Sequence, residues 1–209
     1  MVQSIGGNEC KTAGGYPAEV VLTIGHSNHP LDRFLDLLAL HGVEVLADVR
    51  TTPRSGYSPH FDQAPLRRAL AGAGVRYLFL GDSLGGRPSD PACYDPDGHV
   101  RYDRVAATPL FAKGIERVLV GAAEFRVALM CGEEDPTDCH RRLLVSRVLA
   151  QRGVATSHIR GDGRLQDESS LPPLPDTCQP GLFDEGDTSP WRSARSVSRS
   201  TPPRRSSGG

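Results

Sequence analysis

No stretch of the chain approaches the roughly 20 consecutive apolar residues that a membrane-spanning helix needs. Residues 1–17 are Gly-rich and aperiodic, without the apolar core of a secretory signal, and are expected to be a disordered leader. The expected location is cytoplasmic, with no membrane partner. A disulfide framework is missing as well: five cysteines, an odd number without tight spacing, argue against a stapled secreted domain. There is no Cys-x-x-Cys pair. Nor is there an excess of one charge. A formal net charge of −1 and a pI near 6.6 exclude a protein that coats a polyanion along its whole length, leaving room for local basic patches. Apolar residues are scarce at 38%, whereas Gly (23) and Pro (17) are plentiful; the bias falls mostly on the two ends, so an ordinary core is expected between them.

Between those ends short apolar runs alternate with helical periodicity. Val20–Ile24, Val43–Ala47, Val75–Leu80, Val127–Met130 and Val154–Ile159 read as buried strands. Leu31, Phe34, Leu35 and Leu38 mark one helix, Leu66 to Ala73 a second, and Thr108-Pro109 opens a third. A fourth begins near Asp138 and ends at Arg152-Gly153. The fold class is α/β, a three-layer, mostly parallel five-stranded sheet with helices on both faces. Residues 87–104, polar and proline-interrupted, are expected to be a long loop or lid. The domain is placed at residues 18–165, and 166–209 reads as a disordered tail, acidic first and Arg-rich last.

Right-handed crossovers put the carboxyl ends of parallel strands on one edge, where ligands bind. Four polar turns fall there: His26/Ser27, Asp48/Arg50, Asp82/Ser83 and Cys131/Glu133. The densest is Arg126 to Arg142, which carries two thiols, several carboxylates, an imidazole and guanidiniums where a plain connection needs only turn residues.

The ordered motifs T-I-G-H-S-N (Thr23 to Asn28), D-V-R (Asp48 to Arg50), P-R-S-x-Y-x-P-x-F (Pro53 to Phe61), L-G-G (Leu84 to Gly86) and M-C-x-E-x-D-P-x-x-C-H-R-R (Met130 to Arg142) resemble the domain-of-unknown-function 488 (DUF488) family. The resemblance covers nearly all of residues 20–160. It implies the domain and the motif positions but no reaction, since that family carries no established activity.

The residues themselves suggest several chemistries. Asp48 and Glu133 are candidates for acid/base work, with Cys131, His26 and His140 beside them. Ser27, Arg50, Arg54, Tyr57 and Arg141 are candidates for binding a phosphate-bearing substrate, with His60 and Phe61 as further aromatic neighbours. Together these point to an enzyme acting on nucleic acid or a nucleotide. Cys131, at a strand end facing a helix start, also resembles the nucleophile of rhodanese-like sulfurtransferases, although Glu133, Glu134 and Asp135 would repel an anion. Cys131, Cys139 and His140 match no common zinc spacing, so no metal is assigned, and no cofactor is specified. In the tail, Gln179-Pro180-Gly181-Leu182-Phe183 resembles the Q-x-x-L-F peptide with which bacterial proteins dock on the replication sliding clamp. With the Arg-rich end, it suggests DNA maintenance; a non-catalytic clamp-associated module is the alternative.

Overall fold

The computed structural model describes residues 20–174 and 191–197. Its centre is a sheet of six strands in the order β3-β2-β4-β1-β5-β6, where β1 is Val20–Gly25, β2 Val45–Asp48, β3 Arg76–Phe79, β4 Val127–Cys131, β5 Ala155–Ile159 and β6 Leu165–Asp167. The first five run parallel, and β6 turns back antiparallel on β5. One strand more than expected is present because β6 is only three residues long, too short to show a period.

Strand residues alternate between two apolar clusters. Leu22, Ile24, Leu46, Ala128 and Met130 face α1 (Leu31–Leu40) and α2 (Gln63–Gly72) through Phe34, Leu37, Leu38, Leu66 and Leu70. Val21, Val45, Ala47, Leu129 and Cys131 face the other side, against Phe111, Ile115 and Val118 of the helix that starts at Pro109. On that side lie α3 (Gly81–Leu84), α4 (Tyr102–Ala106) and α5 (Pro109–Glu124), then a π-helical turn (Arg141–Ser146) running into α6 (Arg147–Gln151). Strands buried on both faces explain the unbroken apolar runs in the sequence. Helix α5 starts where expected: the Thr108 hydroxyl accepts from the Phe111 N–H at 3.2 Å and Pro109 occupies the first turn.

Two expectations are corrected. Residues 87–104 are not a free lid: a 3-10 turn (Pro91–Cys93) and α4 bring Cys93, Val100, Tyr102 and Val105 into the core. The tail expected from residue 166 is partly built into the domain. Beyond β6, Glu168 bonds Arg142 and His158, and Trp191 donates its indole N–H to the Leu143 carbonyl while its own carbonyl accepts from the Tyr102 N–H. From there residues 193–197 run beside residues 98–100. The leader and Gln179, Leu182 and Phe183 lie outside the described residues. Among the described residues no helix is long and apolar enough to cross a membrane.

Candidate functional site

Parallel register brings the ends of β1, β2 and β4 together: Gly25 stands beside Cys131, and Asp48 beside Met130. The β1 and β4 loops lock to each other, since the His26 and Ser27 N–H groups donate to the carbonyls of Cys131 and Gly132 at 3.0 and 2.8 Å. Gly25 permits this approach; a Cβ there would lie 1.7 Å from the Glu133 carbonyl oxygen. Above these ends opens a cleft of about 710 Å³.

On one side Asp48 holds Arg50. Arg50 Nε and Nη2 donate to the two carboxylate oxygens at 2.9 and 2.7 Å, Nη2 also reaches the Phe61 carbonyl at 2.8 Å, and the Tyr77 hydroxyl donates to Asp48 at 2.7 Å. Burial works against the Arg50 charge, but Asp48 outweighs it and raises the guanidinium pKa. Asp48 is wholly buried and does not line the cleft. The acid/base role expected for it therefore gives way to that of a positioning residue for Arg50.

Arg50 Nη1 in turn meets His26 Nε2 at 3.1 Å, while His26 Nδ1 lies 2.7 Å from the Ser27 carbonyl. A carbonyl only accepts and a guanidinium only donates, so the proton sits on Nδ1 and the ring is neutral. Burial, then the Arg50 charge, lowers the His26 pKa to about 4. The ring stacks on buried Phe61 with centroids 4.4 Å apart.

Across the cleft Cys131 forms part of the lining, with Cys139 buried behind it. Cys131 Sγ is 2.8 Å and Cys139 Sγ 3.2 Å from Glu133 Oε2, and His140 Nδ1 is 3.5 Å from the first sulfur and 4.0 Å from the second. His140 Nε2 bonds the Val49 carbonyl at 3.0 Å. Removal from water works against the Glu133 charge, yet hydrogen bonds from Cys131, from its own N–H and from Cys139 hold the carboxyl down at about 2. Hydrogen bonding to Cys139 and then burial push the Cys131 thiol up. Burial opposes a thiolate at Cys139, but Cys131, Arg141 and His140 outweigh it and lower that thiol. Burial also opposes a charge on His140, and Cys139 beside it raises the imidazole.

Among the described residues Arg141 is the largest fully buried side chain. It donates to the Glu133 carbonyl, to the Glu134 carbonyl at 2.6 Å, to Cys139 Sγ at 3.5 Å and to Thr23 Oγ1 at 3.3 Å. Thr23 and His158, on neighbouring strands, continue this network to Glu168 and Arg142. Arg141 is thus turned onto the protein and does not face a phosphate, correcting its expected binding role. Arg142, 2% exposed, belongs to the same network. The loop after Cys131 points its carbonyls at a guanidinium, whereas an anion cradle needs converging N–H groups.

The cleft walls carry Arg50, Arg54, Tyr57, Arg87 and Arg195 with Cys131, Glu133, Asp138, His26 and His140. Of the other expected residues, Ser27 lies off the cleft, in a left-handed backbone conformation (φ 46°) where the chain turns away. His60 packs its ring tilted at 51° against Phe61 and bonds the His29 carbonyl, also off the cleft. Tyr57 is fully exposed at the rim. Sequence reasoning missed Tyr77, Arg87 and Arg195. Arg87 directly follows the L-G-G motif, which gave a signal; Arg195 gave none, standing in a stretch of disordered-tail composition.

Residues 30–148, more than half of the chain, match the family model described as "Domain of unknown function DUF488". The chain belongs to the DUF488 family. The matched span includes the cleft-lining DUF488 residues from Arg50 to His140 but not His26 or Arg195. No curated protein and no solved structure matches this DUF488 chain.

Proposed function

We propose that the chain is an enzyme acting on a nucleotide or nucleic acid held in this cleft, with Glu133 as the acid/base group. One observation carries the reading: the guanidiniums of Arg50, Arg54, Arg87 and Arg195 and the exposed Tyr57 ring line the same cleft as Cys131, Glu133 and His140. Among the described residues Arg54, Arg87 and Arg195 form no ion pair. Guanidiniums suit phosphate oxygens, and an exposed ring offers a surface on which a base stacks. The test is anisotropy titration of a labelled single-stranded oligonucleotide over a range of salt. Arg54→Ala/Arg87→Ala should make the plot of log affinity against log salt shallower by about 1.4, at ~0.7 per phosphate contact. Tyr57→Ala should weaken binding by about 1–3 kcal/mol. Affinity and salt slope unchanged in both variants would overturn the reading.

The thiol-enzyme alternative is weaker. Cys139, whose thiol is lowered, is 1% exposed and off the cleft, while Cys131, which does line it, has its thiol raised. A role in DNA maintenance rests on Gln179, Leu182 and Phe183. A peptide covering residues 174–187 should bind a bacterial sliding clamp with micromolar affinity and lose it on Leu182→Ala/Phe183→Ala. Full biological function without Glu133 would favour a non-catalytic, clamp-associated module.

A further inference from the structure

Cys131, Cys139 and His140 each offer one donor atom, and these three atoms lie within 4.8 Å of one another. Three features beyond proximity suit them to a metal ion. First, the spacing is right. In a tetrahedral zinc site, arms of about 2.3 Å to sulfur and about 2.0–2.1 Å to nitrogen place S and N about 3.5 Å apart; Cys131 Sγ and His140 Nδ1 are 3.5 Å apart, and Cys139 Sγ is 4.0 Å from the same nitrogen. Second, His140 is held in the needed tautomer. The Val49 carbonyl only accepts, so a ring hydrogen sits on Nε2, which leaves Nδ1, the nitrogen near the two sulfurs, as the atom able to ligate a metal. Third, charge is compensated: Arg141 Nη1 lies 3.5 Å from Cys139 Sγ, which balances a thiolate inside the protein.

We propose that Cys131, Cys139 and His140 bind a zinc ion, with its fourth position open to the cleft beside the Glu133 carboxylate. Two thiolates and an imidazole select zinc over the oxygen-seeking divalent cations. Three protein ligands with one open position characterise catalytic rather than structural zinc. Glu133 Oε2 lies 2.8 and 3.2 Å from the two sulfurs, near enough to exchange a proton with a water bound to the same ion. A zinc ion here would supply a water of lowered pKa able to add to an electrophilic carbon or phosphorus of the substrate, and the Glu133 carboxylate would take that water's proton. The bond to the leaving group breaks, and Glu133 returns the proton to that group. The reaction class is hydrolysis, with no oxidant or reductant. This step rests on the enzymatic reading above; the metal site does not.

The full chain, purified under reducing conditions without chelator, should contain one zinc per molecule by elemental analysis. Replacement by Co²⁺ should give an intense thiolate-to-cobalt charge-transfer band and visible bands of tetrahedral strength. Cys139→Ser and His140→Asn should lose the metal on dialysis, while Cys93→Ser, a buried cysteine off the cleft, should keep it. Glu133→Gln should retain zinc with altered visible bands. The wild-type cobalt spectrum needs no variant, so a misfolded mutant does not decide the matter. A weak octahedral spectrum, two freely titrating thiols with no bound metal, or a Cys131–Cys139 disulfide would each overturn the site. Loss of zinc from a folded Glu133→Gln chain would overturn the open position. Failed oligonucleotide binding beside a positive cobalt spectrum would remove the nucleotide reading and leave the metal site standing.

Discussion

Asp48→Asn is the substitution whose effect follows most directly from the geometry. The side chains are nearly isosteric, so packing around this wholly buried residue is preserved. What changes is the ion pair. Asp48 accepts two guanidinium bonds from Arg50, at 2.9 and 2.7 Å, a backbone bond from the Arg50 N–H at 3.1 Å and the Tyr77 hydroxyl at 2.7 Å. Asparagine keeps one acceptor and turns an N–H₂ toward a group that only donates. Each bond to a charged group contributes roughly 1.5–3 kcal/mol, and breaking one side of a buried pair costs about 3–5 kcal/mol. Arg50 opens on the cleft at 6% exposure, so part of its charge can rehydrate, and the lower end, ~3 kcal/mol, is expected. In a chain of this size that lowers Tm by roughly 6–12 °C. Urea unfolding followed by circular dichroism should show a reduced midpoint with unchanged slope. Asp48→Asn/Arg50→Met should recover part of the loss, because no buried charge is then left alone. A single-mutant loss below ~1 kcal/mol, or a double mutant as unstable as the sum of the singles, would refute the pairing argument.

Three further outcomes follow from other parts of the structure. His26 is neutral when folded, with its pKa lowered from 6.5 to about 4, so between those values the unfolded chain binds the extra proton. Stability contributed by the neutral ring is fully present above pH 6.5 and is lost as pH falls toward 4, by up to ~3 kcal/mol at 1.36 kcal/mol per unit. A His26→Gln chain should show a flatter acid limb in urea midpoints against pH, and an identical limb would count against the burial argument. Gly25→Ala puts a methyl 1.7 Å from the Glu133 carbonyl oxygen, so the loop must move; a loss at or beyond the top of the ~1–3 kcal/mol overpacking range, with altered cleft binding, is expected in thermal melts. Trp191→Ala removes the indole that bonds the Leu143 carbonyl and carries Arg147 4.7 Å above its ring; the loss should stay below the ~3–5 kcal/mol of a fully enclosed ring, with faster proteolysis near residues 191–197, and unchanged cleavage there would refute the anchoring.

The parallel sheet and the edge bearing the site were legible because both rest on local periodicity. Five apolar runs at strand length, separated by helical patterns, leave few topologies, and right-handed crossovers then force their ends onto one edge. The facing of individual charges was not legible. Arg50, two residues on, is legible as a partner of Asp48, but the burial of Asp48 and Arg141 also draws on partners from elsewhere: Tyr77, on the neighbouring strand, for Asp48, and Thr23 for Arg141. Arg141 also takes the carbonyls of the loop just before it. A periodic pattern reports where apolar surface must go, whereas a buried charge is decided by whether distant acceptors converge on it. The same limit hid Trp191 to Val197. A polar, proline-flanked stretch looks solvated until one indole finds a carbonyl 48 positions earlier and Arg147 covers its ring, and with it comes Arg195, a cleft residue that composition assigned to a tail. Cys131, Cys139 and His140 fall between these cases. Their eight- and one-residue spacings fit no finger pattern, because the intervening loop is shaped around Arg141 instead of around a metal turn. A ligand set folded in this way is recognised only once the strand end and the helix start are placed side by side.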